Sequence, residues 1–181
     1  MSFSQIISDK ILLEVFIDHD VHMDGDDPRE FSEYGKGEAN FGNPEHSGSV
    51  GEYKVNRYKH KTLVFHKGSA VARIEHYNPT KDQKTLKVTH AIVHESHRGK
   101  GLMGSVYKHL ANAGHKIISD TTLSGGADRM WKKLSKSSDV SVSGWDNNRD
   151  KEIPLDKVHV GTKDTMKAHF TSYMLKSKSD K

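Results

Sequence analysis

The sequence predicts an α/β fold of the α+β type: a mixed, mostly antiparallel, twisted sheet of about six to seven strands with flanking helices. Three observations lead to this prediction. Residues 86–110 read as a strand, a glycine-rich turn and a helix, whereas residues 53–77 have the pattern of a hairpin. Residues 140–145 and 168–176 add two apolar stretches near the end of the chain. With 181 residues, 33% hydrophobic and 29% charged, the chain suffices for one domain with a modest core, predicted over residues 1–175.

The strand–turn–helix unit is the clearest local pattern. Residues 86–94 are rich in apolar and β-branched side chains, as expected of a buried strand. Residues 98–101 bring two glycines to a turn, and apolar residues then recur every fourth position from Leu102 to Leu110. Gly114 is placed to end the helix in a left-handed conformation.

The glycine-rich turn suits the binding of a phosphate. The backbone amides of Gly99, Lys100, Gly101 and Gly104 can approach an anion closely, and a helix start adds roughly half a positive charge. Arg98 and Lys100 add mobile cations. The spacing matches neither the Walker loop nor the dinucleotide fingerprint. Two interpretations therefore stand: an anion-binding cradle, or simply a tight turn.

The N-terminal part of the chain is less regular. Residues 11–17 predict a first strand, followed at residues 18–27 by a loop rich in aspartate and histidine. A calcium loop needs a glutamate at its twelfth position, but counting from Asp20 this position is Phe31. Calcium is therefore not expected. His19 and His22 with the nearby aspartates could bind a transition metal, but a solvated loop is the better interpretation, so we predict no metal site. Residues 32–52 contain five glycines without an apolar period, which predicts an irregular segment.

The remaining elements follow in order. Residues 53–66 and 69–77 predict two antiparallel strands joined by a turn at residues 67–68. Residues 115–119 predict a short strand, which the right-handed crossover rule makes parallel to the strand at residues 86–94. Ser124 is a plausible cap for a second helix.

The end of the chain predicts one further strand pair. The strand at 140–145 is expected to pair antiparallel with the stretch at 168–176. The polar connection between these two strands either contributes to a substrate site or is a plain excursion. Residues 176–181 are expected to form a disordered tail.

The residues of the turn resemble a known sequence motif. Arg98, Gly99, Lys100, Gly101 and Leu102 match motif A of the GCN5-related N-acetyltransferase (GNAT) superfamily, Gln/Arg-x-x-Gly-x-Gly/Ala. In that family the motif holds the pyrophosphate of acetyl-coenzyme A. The last position departs from the pattern: it is Met103, where a small residue is usual, and Gly104 follows one place late.

The second helix is similar to motif B of the same family, Asn-x-x-Ala-x-x-x-Tyr-x-x-Leu. Ala127 and Leu134 match, Ser124 replaces the asparagine, and Trp131 replaces the tyrosine. In the family this tyrosine often protonates the departing thiolate, whereas an indole has no proton to give at neutral pH. Trp131 either packs against the pantetheine arm or is an ordinary core residue.

The resemblance implies an acetyl-coenzyme A dependent N-acetyltransferase, in which an acceptor amine attacks the acetyl thioester directly. It also implies that two parallel central strands splay apart and expose backbone amides to the cofactor. Candidates for the group that deprotonates the amine are Glu75, His90 and Asp120. The implied cofactor-binding residues are Ala91, Ile92, Val93, Arg98, Gly99, Lys100, Gly101, Leu102, Met103, Gly104, Ser124 and Trp131.

Other functions stay open. The pattern Ser-Gly-Gly-x-x-x-x-Trp-Lys-Lys-Leu at residues 124–134 more faintly resembles small acetyltransferase-like proteins of bacteriophages. A catalytically impaired binding module acting on a host or phage partner is one alternative. Another is nucleic-acid contact through the basic, tyrosine-containing stretch at residues 53–61, although a solvated strand face explains it better.

Composition sets the remaining expectations. The absence of cysteine excludes disulfides, thiolate catalysis and cysteine-ligated zinc. No apolar run is long enough to cross a membrane, and residues 1–10 lack a secretory pattern. We therefore expect a cytoplasmic protein (in the host cytoplasm if it is of phage origin). The family resemblance implies an amine acceptor, either a metabolite or a protein lysine or N-terminus, which the sequence does not identify. A homodimer is an open alternative to a monomer.

Overall fold

The computed structural model describes residues 41–80, 84–162 and 171–179, which form a mixed sheet with two helices. Nine strands lie in the order β1-β2-β3-β4-β5-β6-β11-β8-β9, and every neighbouring pair is antiparallel except β5 and β6. The strands are β1 (His46–Val50), β2 (Tyr53–Arg57), β3 (Lys61–His66), β4 (Ser69–Tyr77), β5 (Thr85–Val93), β6 (Lys116–Ile118), β7 (Thr122–Leu123), β8 (Val140–Asp146), β9 (Lys151–Ile153), β10 (Gly161–Thr162) and β11 (Thr171–Ser177). Strands β7 and β10 form a separate parallel pair. The predicted fold class is confirmed, with more strands than the six or seven expected.

One of the additional strands is β1, which lies within the segment predicted to be irregular. That prediction is wrong for His46–Val50, which pairs antiparallel with β2. The sequence of β1 has no apolar period because its residues are small and polar and the strand lies at the edge of the sheet. A Cβ atom on Gly48 would lie 2.4 Å from the imidazole of His109, so this glycine permits close contact with the first helix.

The hairpin predicted at residues 53–77 is partly correct. Residues 53–66 form two strands rather than one, because the chain turns back at residues 58–60, where the Tyr58 amide donates to the Lys61 carbonyl at 2.7 Å. The predicted turn between β3 and β4 is confirmed. Lys67 and Gly68 have φ values of 50° and 82°, as two-residue hairpin turns of the primed type require.

The strand–turn–helix unit is confirmed. Helix α1 (Leu102–Asn112) follows β5 after the glycine turn, and Gly114 adopts a φ of 88° beyond the end of the helix. Strand β6 then pairs parallel with β5, as the crossover rule predicts. The pairing is short: its last pair joins Lys87 to Ile118, whereas β5 continues to Val93.

The C-terminal half also agrees with its predicted elements. Helix α2 (Gly125–Leu134) is capped by Ser124, whose Oγ accepts a hydrogen bond from the Ala127 amide at 3.2 Å. Strands β8 and β11 pair antiparallel as expected. The connection between them contains the short strand β9, and β11 extends two residues into the segment predicted as a disordered tail.

Several predictions concern residues that the structure does not describe. The strand predicted at residues 11–17 and the loop at residues 18–27 lie outside the described residues. The same holds for residues 168–170 of the final apolar stretch and for the last two residues of the chain.

Both faces of the sheet carry apolar clusters. The main core packs α1 and α2 against one face, with Leu102, Val106 and Leu110 of α1 all at most 5% exposed. Burying each of these side chains contributes about 1.5–3 kcal/mol to folding. A smaller cluster around Leu63 and Phe65 lies on the other face, because neighbouring residues of a strand point to opposite sides.

Candidate functional site

A cavity of about 760 Å³ opens where β5 and β6 separate. Beyond Ile118 the chain leaves β5 and stays with β11. The Ser119 amide donates to the Tyr173 carbonyl at 2.8 Å, and the Ser119 hydroxyl accepts from the Tyr173 amide at 3.0 Å. The cavity is therefore bounded by the second half of β5 on one side and by the segment after β6 on the other. The glycine turn and the first turns of α1 and α2 complete it.

The open side of β5 presents main-chain hydrogen-bonding groups. The His94 amide, one residue beyond the end of β5, donates to the Val71 carbonyl of β4 at 2.8 Å. Because successive residues of a strand direct their backbone groups to alternate sides, the amides of Ala91 and Val93 face away from β4, toward the cavity. The Val93 carbonyl, which accepts from Arg98 Nε at 2.8 Å, lies on the same side.

The glycine turn has the backbone conformation that only glycine adopts easily. Gly99 and Gly101 have φ values of 74° and 75°, and a Cβ atom on either residue would meet no protein atom within 4 Å. Among the described residues, no backbone carbonyl accepts from the amides of residues 99–104; the first helical amide that is bonded is that of Ser105, to the Gly101 carbonyl. The turn thus brings a set of free donors to the cavity, at the start of α1.

Eleven of the twelve residues predicted to bind the cofactor line this cavity. The exception is Lys100, which is exposed. The lining residues from that prediction are Ala91, Ile92, Val93, Arg98, Gly99, Gly101, Leu102, Met103, Gly104, Ser124 and Trp131.

The three candidate proton acceptors are placed differently. His90 and Asp120 line the cavity, whereas Glu75 does not. Glu75 lies opposite His90 in the β4–β5 register, and its carboxylate is 3.5 Å from Nε of Arg73. The buried Nε2 of His90 has no hydrogen-bond partner in the part of the chain that the structure describes. His90 therefore brings an imidazole nitrogen without a protein partner to the cavity wall.

Asp120 lies in an environment that weakens its acidity. Burial raises the pKa of its carboxyl group, although a 2.6 Å hydrogen bond from the Thr121 amide partly opposes this effect. The nearby Lys87 is also affected by burial, which lowers the pKa of its ammonium group. A carboxylate with a raised pKa on the wall of a cavity is a candidate for proton transfer.

Trp131 is both a core residue and part of the cavity wall. Its indole is 1% exposed, and its ring centroid lies 5.5 Å from that of Tyr107. Tyr107 also lines the cavity, and burial raises the pKa of its hydroxyl group, which keeps it protonated at neutral pH. The two interpretations of Trp131 from the sequence are therefore compatible with each other.

Sequence reasoning missed six polar residues of the cavity wall: Thr89, His97, Tyr107, Ser119, Thr122 and Arg129. His97 directly precedes the motif residue Arg98, and Tyr107 lies four residues after Met103 on α1, so both were within reach of the pattern. Arg129 had no such signal, because only the packing of α2 brings it to the cavity.

The basic stretch at residues 53–61 does not form a continuous exposed surface. Arg57 is 8% exposed and pairs with Glu45 at 2.8 Å, and Tyr58 is 7% exposed. Nucleic-acid binding of this kind uses exposed cations and rings together. Their burial removes the observation that favoured this function.

The described residues lack the features of two other classes of site. Across residues 41–80, 84–162 and 171–179, no group of three or more histidine, aspartate or glutamate side chains is arranged to hold a metal ion. In the same residues, neither helix is long and apolar enough to span a membrane.

Comparison with known proteins gives distant likenesses to solved structures. No protein-family model matches the sequence, and no curated protein is significantly similar to it. A diaminobutyrate acetyltransferase, EctA, from Paenibacillus lautus is 19% identical, with a TM-score of 0.37 over 64% of this chain and 68% of that one. An IAA acetyltransferase from Bacillus cereus is 13% identical, with a TM-score of 0.37 over 83% and 85%. A putative GNAT-family acetyltransferase from Bacteroides thetaiotaomicron is 11% identical, with a TM-score of 0.38 over 82% and 78%. With TM-scores below 0.5, these likenesses carry no weight in the assignment that follows, which depends on the cavity and its donors.

Proposed function

We propose that the protein is an acetyl-coenzyme A dependent N-acetyltransferase that promotes direct attack of an amine on the acetyl thioester. One observation carries the proposal: free backbone donors of a glycine turn and of a half-paired strand converge on one cavity between two parallel strands. Both sets of donors are suited to a long ligand with a diphosphate at one end and amide groups along its length. The cavity volume of about 760 Å³ is in the usual range for cofactor sites.

The residues present fit this cofactor at both ends. The amides of residues 99–104 are suited to its diphosphate, because they are unbonded and lie at the positive end of α1. Arg98 adds a cation beside them. The amides of Ala91 and Val93 are suited to the pantetheine arm and to the thioester oxygen, as a bound strand would be. When bound, acetyl-coenzyme A supplies the activated acetyl group.

The chain's own groups have two roles in the transfer. A backbone amide of β5 that donates to the carbonyl oxygen stabilises the negative charge that develops there. The acceptor amine has to be neutral to attack, so a nearby base must take its proton. His90 and Asp120 are our candidates because both line the cavity. Glu75 also remains a candidate, but it lies outside the cavity, at the position of β4 that is opposite His90.

Position 131 holds no tyrosine that could protonate the departing thiolate. Trp131 is stacked in the core and has no acidic proton. Loss of a general acid typically costs about a hundredfold in rate, but a thiolate is a stable leaving group near neutral pH. We propose that solvent protonates the thiolate and that the protein acts without a dedicated acid.

The second candidate function is a binding module that retains the ligand but not the reaction. The specific observation in its favour is the same buried Trp131, together with Met103 at a position of the motif where a small residue is usual. In this case the cavity holds the acyl-coenzyme A and the protein acts by contacting a host, phage or other macromolecular partner. The amine acceptor of the first function would be a metabolite or a protein lysine or N-terminus.

Thermal denaturation tests the shared first step. Acetyl-coenzyme A and coenzyme A at millimolar concentration should raise the melting temperature, because a ligand that binds only the folded state stabilises it. Absence of any shift would rule out both functions. Release of free thiol in the presence of an amine panel then separates them: the enzyme produces thiol and acetylated amine, whereas the binding module produces neither.

The acceptor is best identified by a method that does not assume a particular amine. Mass spectrometry for added acetyl groups, in cells that produce the wild-type protein or a His90→Gln, Asp120→Asn double variant, would identify it. Groups acetylated only with the wild-type protein are the expected result. The proposal includes a single domain over residues 1–175 and a cytoplasmic location.

A further inference from the structure

Four rings gather at one rim of the cavity, beside the glycine turn. The ring centroids of Tyr53 and His66 are 5.2 Å apart, and those of His66 and His97 are also 5.2 Å apart. The ring centroid of His97 lies 5.6 Å from that of Tyr53 and 6.3 Å from that of His94. We refer to these four residues as the histidine rim. His97 is the member of the rim that lines the cavity and directly precedes Arg98.

A hydrogen bond to Tyr53 orients the ring of His97. The Tyr53 hydroxyl and Nδ1 of His97 are 3.0 Å apart. When the imidazole is neutral, the hydroxyl can donate to Nδ1, so the proton of the ring is on Nε2. When the imidazole is protonated, the same hydroxyl can accept from Nδ1, since a phenol is both donor and acceptor. Tyr53 therefore supports both charge states of His97, and Nε2 carries a proton in each.

The surroundings of His97 are mostly cationic. The groups that act on it are His94 and Lys100 from its own segment, and Glu52, Tyr53 and His66 from the neighbouring strands and turns. Arg98 follows it in the chain, and Lys67 acts on Glu52. Burial lowers the pKa of His97, Lys100, His66 and His94 lower it further, and Glu52 opposes them. Glu52 is itself bound to His66, at 3.0 Å. In the absence of an anion, the imidazole is therefore neutral at physiological pH.

We propose that His97 is a proton-dependent phosphate-binding residue, which in its charged state donates a hydrogen bond from Nε2 to a phosphate oxygen of the bound nucleotide ligand. The proposal rests on the proposed function, since it assumes a phosphate-bearing ligand in this cavity. Binding takes one proton from solvent onto the imidazole; no other bond is made or broken. His66 and Tyr53 position the ring, whereas Arg98 and the free amides of the turn bind the same group of oxygens.

The direction of the pH effect follows from linkage. A phosphate beside His97 stabilises the imidazolium, so the pKa of His97 is higher in the bound state than in the free state. Ligand affinity therefore rises as pH falls through the bound-state pKa, and it levels off below the free-state pKa. Each unit by which binding raises the pKa corresponds to a tenfold change in affinity. An arginine or lysine at this position would lack this property, because its charge is permanent in the same pH range.

Titration of ligand affinity against pH tests the proposal. The dissociation constants of coenzyme A and of dephospho-coenzyme A are measured by calorimetry between pH 5.5 and 8.5. For the wild-type protein we expect affinity about tenfold higher at pH 5.5 than at pH 8.5. His97→Gln should reduce this ratio to about twofold, and His97→Arg should bind tightly at every pH. His60→Gln is the matched control, because His60 is exposed and lies outside the cavity.

The two ligands identify the phosphate. Dephospho-coenzyme A lacks the 3′-phosphate, whose own second pKa is about 6. A slope seen with both ligands assigns the contact to the diphosphate, and a slope seen with coenzyme A alone assigns it to the 3′-phosphate. A slope that His97→Gln leaves unchanged overturns the proposal while the proposed function stands.

A second experiment tests the phosphate subsite independently of the proposed function. Proton NMR of the imidazole signals gives the pKa of His97 with and without inorganic pyrophosphate. We expect pyrophosphate to raise it, and an unchanged pKa would overturn the subsite. If pyrophosphate raises this pKa but coenzyme A does not bind, the proposed function fails and the phosphate subsite stands.

Discussion

The indole of Trp131 lies stacked on the phenol ring of Tyr173, with ring centroids 5.6 Å apart and planes inclined by 11°. This pair joins α2 to β11. The Tyr173 hydroxyl donates to the Asp128 carboxylate at 3.2 Å, and burial together with Asp128 raises the pKa of Tyr173 to about 12. The position where the related motif has a tyrosine is therefore an anchor between a helix and the sheet.

We expect Trp131→Ala to lower the free energy of unfolding by about 3–5 kcal/mol, because a fully buried aromatic side chain is replaced by a cavity. Trp131→Phe should lower it by less, since most of the volume and the ring contact remain. Urea denaturation measures both. Leu155→Ala is the control, because Leu155 is 36% exposed and its truncation should change stability by less than about 0.5 kcal/mol. A small loss at position 131 would contradict an anchoring role.

We expect Gly101→Ala to weaken coenzyme A binding at least tenfold, because the new methyl group would project into the space between the turn and the diphosphate. Its φ of 75° also strains alanine, so stability should fall by about 1 kcal/mol. Gly51→Ala is a matched control. Gly51 has a φ of 57°, open space around its Cβ position and no place in the cavity wall.

Both glycine variants should therefore show a similar fall in melting temperature, and only Gly101→Ala should show a raised dissociation constant. Equal affinity of the two variants for coenzyme A would mean that the turn does not contact the ligand. This outcome would remove the main support for the proposed function.

We expect His90→Gln and Asp120→Asn to lower kcat/KM by about a hundredfold or more if one of them is the base. The base acts in its deprotonated form, so the activity that depends on Asp120 is lost as pH falls through its raised pKa. Glu75→Gln should have a smaller effect, since Glu75 lies outside the cavity and beside Arg73. The pH dependence of thiol release identifies the base, because only its replacement removes the acid limb of the profile.

We expect the protein to lose stability as pH falls below about 6.5. Burial lowers the pKa of His76 to about 4, and burial is also the main cause of the lowered pKa of His109 and of His115. Such histidines bind protons more readily in the unfolded chain than in the folded one. Their contribution is complete above the unfolded pKa of about 6.5 and decreases as pH falls toward the folded value.

Urea denaturation between pH 7 and 4.5 measures this loss, which for His76 alone reaches about 3 kcal/mol near its folded pKa. In the folded protein, His76 Nε2 is 3.1 Å from the Thr62 hydroxyl. His76→Gln should flatten the dependence on pH, whereas His159→Gln should not, because His159 is exposed and does not act on His76. A stability that is constant from pH 7 to 4.5 would contradict the prediction.

Local patterns predicted the central unit of the fold. The strand, the turn and the helix were predictable from sequence because each depends on residues that are close in the chain. These local signals are the apolar pattern of β5, the two glycines of the turn and the spacing of apolar residues from Leu102 to Leu110. Strand β1 was not readable, because its polar residues become a strand only by pairing with β2 and passing close to His109. The break at residues 58–60 was hidden because Tyr58 resembles a strand residue but is buried in the second apolar cluster.

The same distinction applies to the cavity. The motif residues were predictable because they are contiguous or regularly spaced. Arg129 and Tyr107 reach the cavity only through the packing of the two helices, and Ser119 through its bonds to Tyr173. Lys100 was expected at the site from its neighbours in sequence, yet it is exposed and does not line the cavity.

The pairing of β5 with β6 ends at Lys87 and Ile118, so the backbone groups of β5 beyond this point face the groove. These donors belong to the main chain and do not depend on which side chain is present. Replacement of individual side chains along residues 88–93 therefore leaves the groove's own donors in place. Val88 and Ile92 are buried in the core, so under the proposed function it is the exposed positions of this segment, such as Ala91, that can change the surface facing an incoming amine. Under the proposed function, variation at such exposed positions would therefore change the acceptor, while the backbone donors that bind the acyl carrier stay the same.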